Sequence, residues 1–160
     1  MSNEKYSIAS EILYKGKAAK GQDYNKPASF PLFSNTSFTM NSLAEVREAY
    51  KSKFTYVRTN NPNREALAEM VSYLENGEKS LIFSSGMGAI TTTLMTILKP
   101  GDHIICNSYI YGETFDVMTK LMPKFGIESD LVSFDDIENV KKAVKPNTKL
   151  IYSEVLANPP

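Results

Sequence analysis

From residue 63 onward, short apolar runs alternate with longer stretches of helical period, and this alternation limits the fold more than any other feature of the chain. Leu67, Met70, Val71 and Leu74 recur at helical spacing, and Asn76-Gly77 closes that stretch. Ser80–Phe83 is a short apolar strand candidate, and Gly88–Leu98 has a helical pattern closed by Lys99-Pro100-Gly101. His103–Cys106 is the next apolar run. Gly112–Phe125 then reads as a helix with Phe115, Met118, Leu121 and Met122 on one side. Ile127–Phe134 reads as a strand, Asp135–Val144 as a helix and Lys149–Val155 as a strand. Short strands separated by helices of this length need crossover connections, which make a mostly parallel sheet. The predicted class is α/β, doubly wound, with functional groups at the carboxyl ends of the strands. The sequence stops directly after a strand, so the sheet is expected to be incomplete and to leave apolar surface uncovered.

Residues 1–62 follow a different pattern. Residues 21–40 hold two prolines and many Asn and Ser, keep no period, and read as an extended arm. Short helices are predicted around Ser10–Lys15 and over Leu43–Lys51, the second capped by Asn41 or Ser42. The expected division is therefore an arm with short helices over 1–62 and the first part of a larger domain over 63–160.

Charge and composition narrow the function. Eighteen basic residues balance eighteen acidic ones, and no run reaches five like charges. That points away from nucleic acid and from a polybasic membrane contact. Cys106 and His103 are the only residues of their kinds. A disulfide within the chain and a thiolate zinc cluster are excluded, and no metal is expected. The N-terminus has no long apolar core, and no stretch has the apolar length that spans a bilayer. A cytoplasmic setting is expected.

Four segments carry candidate chemistry. Phe83-Ser84-Ser85-Gly86-Met87-Gly88-Ala89-Ile90 leaves an apolar run, turns on small residues and enters a helix. Exposed N–H groups and the positive dipole end at such a helix start suit a phosphate, and Gly86 lets the anion approach. The same small residues also serve close helix–strand packing. Tyr56 and Arg58 alternate with Val57, so an extended backbone points phenol and guanidinium the same way, as a phosphate clamp or as a solvated turn. Asn61-Pro62 starts the following helix. Asn107–Thr114 follows a strand candidate and offers Tyr109 and Tyr111 as rings that stack on a planar cofactor or pack in an interface. Tyr152–Pro159 also follows a strand, and Asn158 is either a donor to a phenolate or carboxylate or a turn residue ahead of proline.

In this order and spacing the segments resemble the cystathionine gamma-synthase / methionine gamma-lyase group of pyridoxal-phosphate enzymes. Tyr56-x-Arg58-x-x-Asn61-Pro62, Ser85-Gly86-Met87-Gly88-Ala89, Gly101-Asp102-His103, Tyr111-Gly112-x-Thr114 and Glu154-x-x-x-Asn158-Pro159 are similar to its Y-x-R-x-x-N-P, S-G-M-x-A, G-D-H, Y-G-x-T and E-x-x-x-N-P motifs. The resemblance implies the large domain of the aspartate-aminotransferase-like (fold type I) enzymes. It implies pyridoxal 5'-phosphate as cofactor, a small amino acid as substrate, and a homo-oligomer that is a dimer of dimers. Gly86 and Met87 would give N–H groups to the cofactor phosphate, and Tyr56 and Arg58 would reach the phosphate of a neighbouring subunit. Tyr111 would stack on the pyridine ring and move protons as the catalytic residue, and Asn158 would lie near the cofactor's phenolic oxygen.

The resemblance also implies a lysine that holds the cofactor, and no lysine of this sequence stands in a matching context, so the 160 residues are expected to be an N-terminal part, inactive alone. The alternative is a non-catalytic protein, either a remnant or a partner subunit that lends Tyr56 and Arg58 to a full-length relative. An unrelated phosphate-binding α/β module is a third reading. Position 113 is Glu where methionine gamma-lyases resemble Y-G-C-T and many other members Y-G-G-T, which argues against a typical methionine gamma-lyase and leaves the sulfur amino acid open. Position 63 is Asn where the family often has Thr.

Overall fold

The computed structural model describes residues 7–15, 29–52 and 54–156. The chain divides into two units, residues 1–82 and 83–160. Position 62/63 lies at the start of a helix within the first of these units.

Among the described residues of the first unit, the helices are α1 (Ile8–Lys15), α2 (Leu43–Ser52) and α3 (Pro62–Leu74). Ser42, rather than Asn41, caps α2: its Oγ accepts the Glu45 N–H at 3.1 Å, and the Glu45 carboxylate reaches back to the Asn41 N–H at 2.8 Å. Asn61 caps α3, accepting from the N–H groups of Asn63 and Arg64, with Pro62 at the first helical position. At the other end Asn76, not Gly77, takes the left-handed conformation, with φ 51°. The Asn63 amide clamps the preceding segment. It accepts from the Phe33 N–H at 3.1 Å and donates to the Phe33 carbonyl at 3.0 Å. Threonine carries its donor and acceptor on one short hydroxyl rather than on the two arms of an amide, so it cannot make this two-point clamp. Beyond the clamp, Phe30, Phe33, Phe38 and Phe54 follow one another with ring centroids 5.7–6.5 Å apart.

The second unit is α/β. It contains α4 (Gly86–Ile97), β1 (His103–Asn107), α5 (Gly112–Asp116), β2 (Glu128–Val132), α6 (Ile137–Ala143) and β3 (Thr148–Tyr152). The sheet is parallel with order β2-β1-β3, so β1 is central, and its first four residues are buried. Leu94, Ile104, Cys106, Met118, Met122 and Ile127 lie in one core cluster. Each fully buried aliphatic side chain of this kind contributes roughly 1.5–3 kcal/mol. Gly101 (φ 90°) turns the chain just ahead of β1 and Gly126 (φ 71°) just ahead of β2, and the Gly101 N–H donates to the Gly126 carbonyl at 2.7 Å.

Three local expectations are corrected. Ser80–Phe83 has no regular secondary structure and pairs with no strand among the described residues, and Leu81 is exposed. An apolar run becomes a strand only where a partner supplies the ladder. The helix expected over Gly112–Phe125 is α-helical only to Asp116. Val117–Leu121 then forms a π turn and Met122–Phe125 a 3₁₀ turn around Pro123, which has no N–H to give. Thr114, Met118 and Met122 form the buried line of this stretch, with Val117 beside it, while Phe115 stays exposed. Finally, residues 57–59 are a turn rather than extended chain.

Candidate functional site

The start of α4 is built to leave donors free. Ser85 is the cap, with an extended backbone (φ −153°, ψ 154°), and its Oγ accepts the Gly88 N–H at 3.0 Å. Its carbonyl accepts the Ala89 N–H at 3.1 Å. The N–H groups of Gly86 and Met87 find no acceptor among the described residues. No acidic residue occupies the first turn, and nothing lies within 4 Å of where a Cβ on Gly86 would be. Two free N–H groups, a positive dipole end and open space suit an anion. Gly88 has a different role: a Cβ there would meet Ser85 Oγ at 3.0 Å and crowd the cap.

The carboxyl ends of β1 and β3 meet beside this helix start. Thr114, fully buried on α5, donates to Met87 Sδ at 3.7 Å, which ties the Tyr111 turn to the start of α4. Tyr111 is the N-terminal flanking residue of α5, and its N–H donates to Glu154 Oε2 at 3.0 Å. Glu154 Oε1 accepts from the Tyr152 hydroxyl at 3.2 Å. Asn107 accepts the Tyr109 N–H at 3.3 Å and donates to Ser153 Oγ at 3.3 Å. Tyr109 and Tyr111 are equally exposed, at 43%, so exposure does not separate them. Only Tyr111 has its backbone bonded to the neighbouring strand's exit.

Charge shapes this edge. Hydrogen bonding to Glu113, then the charge of Glu113, holds the Tyr111 phenol above its ordinary value. Burial, then the Glu154 carboxylate, raises Tyr152. The same two causes push the buried Cys106 thiol up to about 12, so it is an inert core residue rather than a nucleophile. His103 sits at the opposite end of β1, fully buried. Its Nδ1 lies 2.8 Å from Thr148 Oγ1 and its Nε2 3.2 Å from Asp130 Oδ2.

In the first unit, Tyr56 bridges to Ser37 in antiparallel fashion, and Arg58 folds back so that its guanidinium carbon is 4.9 Å from the Tyr56 ring centroid. Both are exposed, and Arg58 forms no ion pair among the described residues. Gly86, Met87 and Tyr111 thus gather in one unit, and Tyr56 and Arg58 pair in the other. Asn158 lies outside the described residues. Sequence reasoning singled out Tyr111 but missed what Glu154 and Thr114 do. Both stand in the motif segments, and their partners become visible only once β1 and β3 are adjacent. Among the described residues there is no group of three or more metal-ligating side chains, and no helix is long and apolar enough to cross a membrane.

The family model of Cys/Met metabolism PLP-dependent enzymes matches residues 12–160. The chain is 32% identical to an L-methionine gamma-lyase of Fusobacterium nucleatum subsp. polymorphum, over 99% of this chain and 40% of that one. It is 41% identical to a cystathionine gamma-lyase of Bacillus subtilis, over 76% of this chain and 32% of that one. A solved structure from Campylobacter jejuni, assigned as an O-acetylhomoserine (thiol)-lyase and holding N'-pyridoxyl-lysine-5'-monophosphate, superposes with a TM-score of 0.82. It is 26% identical, over 97% of this chain and 38% of that one. The chain therefore spans about two-fifths or less of the length of these relatives.

Proposed function

The chain belongs to the Cys/Met metabolism PLP-dependent enzyme family, and we propose that its second unit provides the phosphate cradle and ring platform of a pyridoxal-phosphate site acting on a sulfur amino acid. The observation that carries this reading is the pair of free N–H groups on Gly86 and Met87, joined to the Tyr111 turn through the Met87–Thr114 contact. A phosphate fits the α4 start without displacing a carboxylate or a side chain. Tyr111 offers an exposed ring whose backbone is already fixed. When bound, pyridoxal phosphate supplies an electron sink that lets an amino-acid α-proton leave. The residues of this chain bind its phosphate, orient its ring and place a neutral phenol beside it.

The reaction assigned is γ-elimination or γ-replacement on cystathionine, methionine, homocysteine or an O-acyl-homoserine. The three relatives carry three different activities. Glu113, standing where the resemblance gives Cys or Gly, leaves the choice among them open. The exposed Tyr56–Arg58 pair serves as a phosphate clamp for a second subunit, so the working unit is a homo-oligomer. The lysine that carries the cofactor is not supplied by these 160 residues, which are inactive without it. Asn158 is assigned to the cofactor's phenolic oxygen.

Fluorescence titration tests the reading. Pyridoxal phosphate is expected to bind at least about tenfold more tightly than either pyridoxal or inorganic phosphate, because each lacks one half of the site's contacts. Equal affinity for pyridoxal phosphate and inorganic phosphate would reduce the site to a general anion hole and overturn the proposal.

A further inference from the structure

We propose that Glu154 is a positioning residue for Tyr111, bracing the ring-bearing turn from the neighbouring strand exit so that the phenol is placed before any cofactor arrives. The inference rests on the reading of Tyr111 as the ring platform. Tyr111 begins α5 with no side-chain cap of its own. Its N–H is one of the orphan donors of a helix start, and Glu154 Oε2, from a residue 43 positions later in the chain, accepts it at 3.0 Å. The other carboxylate oxygen is held at 3.2 Å by the Tyr152 hydroxyl. Tyr152 is itself partly buried at the end of β3, and it packs against the core cluster that contains Cys106. Glu154 thus transmits the rigidity of the sheet to the turn: one oxygen is anchored on β3 and the other fixes the Tyr111 backbone.

A second brace runs beside it, from Asn107 Nδ2 to Ser153 Oγ at 3.3 Å. Together they hold residues 108–111 between two strand exits, where an unbraced turn with exposed tyrosines would sample several ring placements. Pre-placing the ring removes the ordering cost from the binding step. The requirement is for two polar atoms at one reach, an acceptor for the Tyr111 N–H and a hydrogen-bonding partner for the Tyr152 hydroxyl. Gln supplies one acceptor for the Tyr111 N–H and one donor that the Tyr152 hydroxyl can accept, so it keeps the brace. Ala supplies neither, and Asp is too short to span both partners.

The test uses Glu154→Ala and Glu154→Gln in the protein, with three readings. Hydrogen exchange at the Tyr111 amide, followed by NMR, is expected to quicken at least about tenfold in Glu154→Ala and to stay within about twofold in Glu154→Gln, following the loss or retention of one hydrogen bond. Affinity for pyridoxal phosphate is expected to fall about two- to tenfold in Glu154→Ala, the scale of a lost aromatic contact. Affinity for inorganic phosphate is expected to stay unchanged, because the α4 cradle is not touched. Glu154→Gln should restore the pyridoxal-phosphate affinity. If Tyr111 exchange is unaltered in Glu154→Ala, the brace is absent. If both phosphate ligands weaken together, Glu154 is a general stability residue; either result overturns the inference. A wild-type protein without preference for pyridoxal phosphate would instead defeat the assigned function, while the exchange reading would still judge the brace.

Discussion

Gly86→Pro isolates the phosphate cradle from the rest of the fold. Proline removes one of the two free N–H groups and leaves that of Met87. The helix tolerates it on three counts. Gly86 follows the cap and so holds the first helical position, where proline is favoured. Ser85 already has φ −153° and ψ 154°, within the region that a following proline permits. A Cβ at position 86 meets nothing within 4 Å. The Ser85 Oγ bond to the Gly88 N–H is not involved. Stability should therefore hold, or rise by about 0.4–1 kcal/mol through a stiffer unfolded chain. A hydrogen bond to a charged acceptor is worth about 1.5–3 kcal/mol, so the affinity for pyridoxal phosphate should fall about ten- to hundredfold. Pyridoxal, which has no phosphate, should bind as before. Fluorescence titration gives the affinities and urea unfolding the stability. A variant that folds and binds pyridoxal phosphate as tightly as the parent would refute the assignment of the phosphate to this helix start.

Asn63→Ala removes both hydrogen bonds to Phe33, and Asn63→Thr cannot replace the pair. Either should cost roughly 1–3 kcal/mol and speed hydrogen exchange over residues 30–38, and unchanged exchange there would refute the clamp. Asn61→Ala, which deletes the α3 cap, should cost about 0.5–2 kcal/mol in thermal unfolding, and no loss would deny the cap its role. The buried Cys106 thiol is raised from 9.0 to about 12, so the unfolded chain loses that proton first. Stability should then fall as pH rises through this window, by at most about 1.4 kcal/mol per pH unit, and Cys106→Ala should flatten that slope in urea titrations. Lys145, hydrogen-bonded to Asp130, holds that carboxyl below its usual range, so its contribution is present above the ordinary aspartate range and is lost as pH falls through the lowered value. Asp130→Asn should weaken the acid dependence of unfolding seen in the parent, and an identical acid profile would exclude the pair as its source.

The elements that could be read from sequence are those whose cause is local. The helical period of Leu67, Met70 and Val71, the Asn61-Pro62 start and the small residues at Ser85–Gly88 each act within a turn or two, and each stands where it was expected. What could not be read depends on a partner distant in the chain. Ser80–Phe83 has the composition of a strand, yet no described strand lies beside it. Phe115 fits the apolar face of a regular helix. The buried line runs instead through Thr114, Met118 and Met122, and Phe115 stands outside it. The burial of Thr114 has a consequence for the site, because its hydroxyl is the group that meets Met87. An extended backbone would point Tyr56 and Arg58 the same way. They pair instead through a turn that lays the guanidinium over the ring, so the residues were identifiable while the geometry was not. The motif letters therefore mark the chemistry at the strand ends, and the order β2-β1-β3 supplies the arrangement. With β1 between its two neighbours, the exits carrying Tyr111 and Glu154 lie side by side, and two residues 43 apart in sequence become hydrogen-bonded. Shifting the β1–β3 register by one residue would turn the β3 side chains to the other face and carry Glu154 away from the Tyr111 N–H. The parallel pairing is therefore part of the site itself.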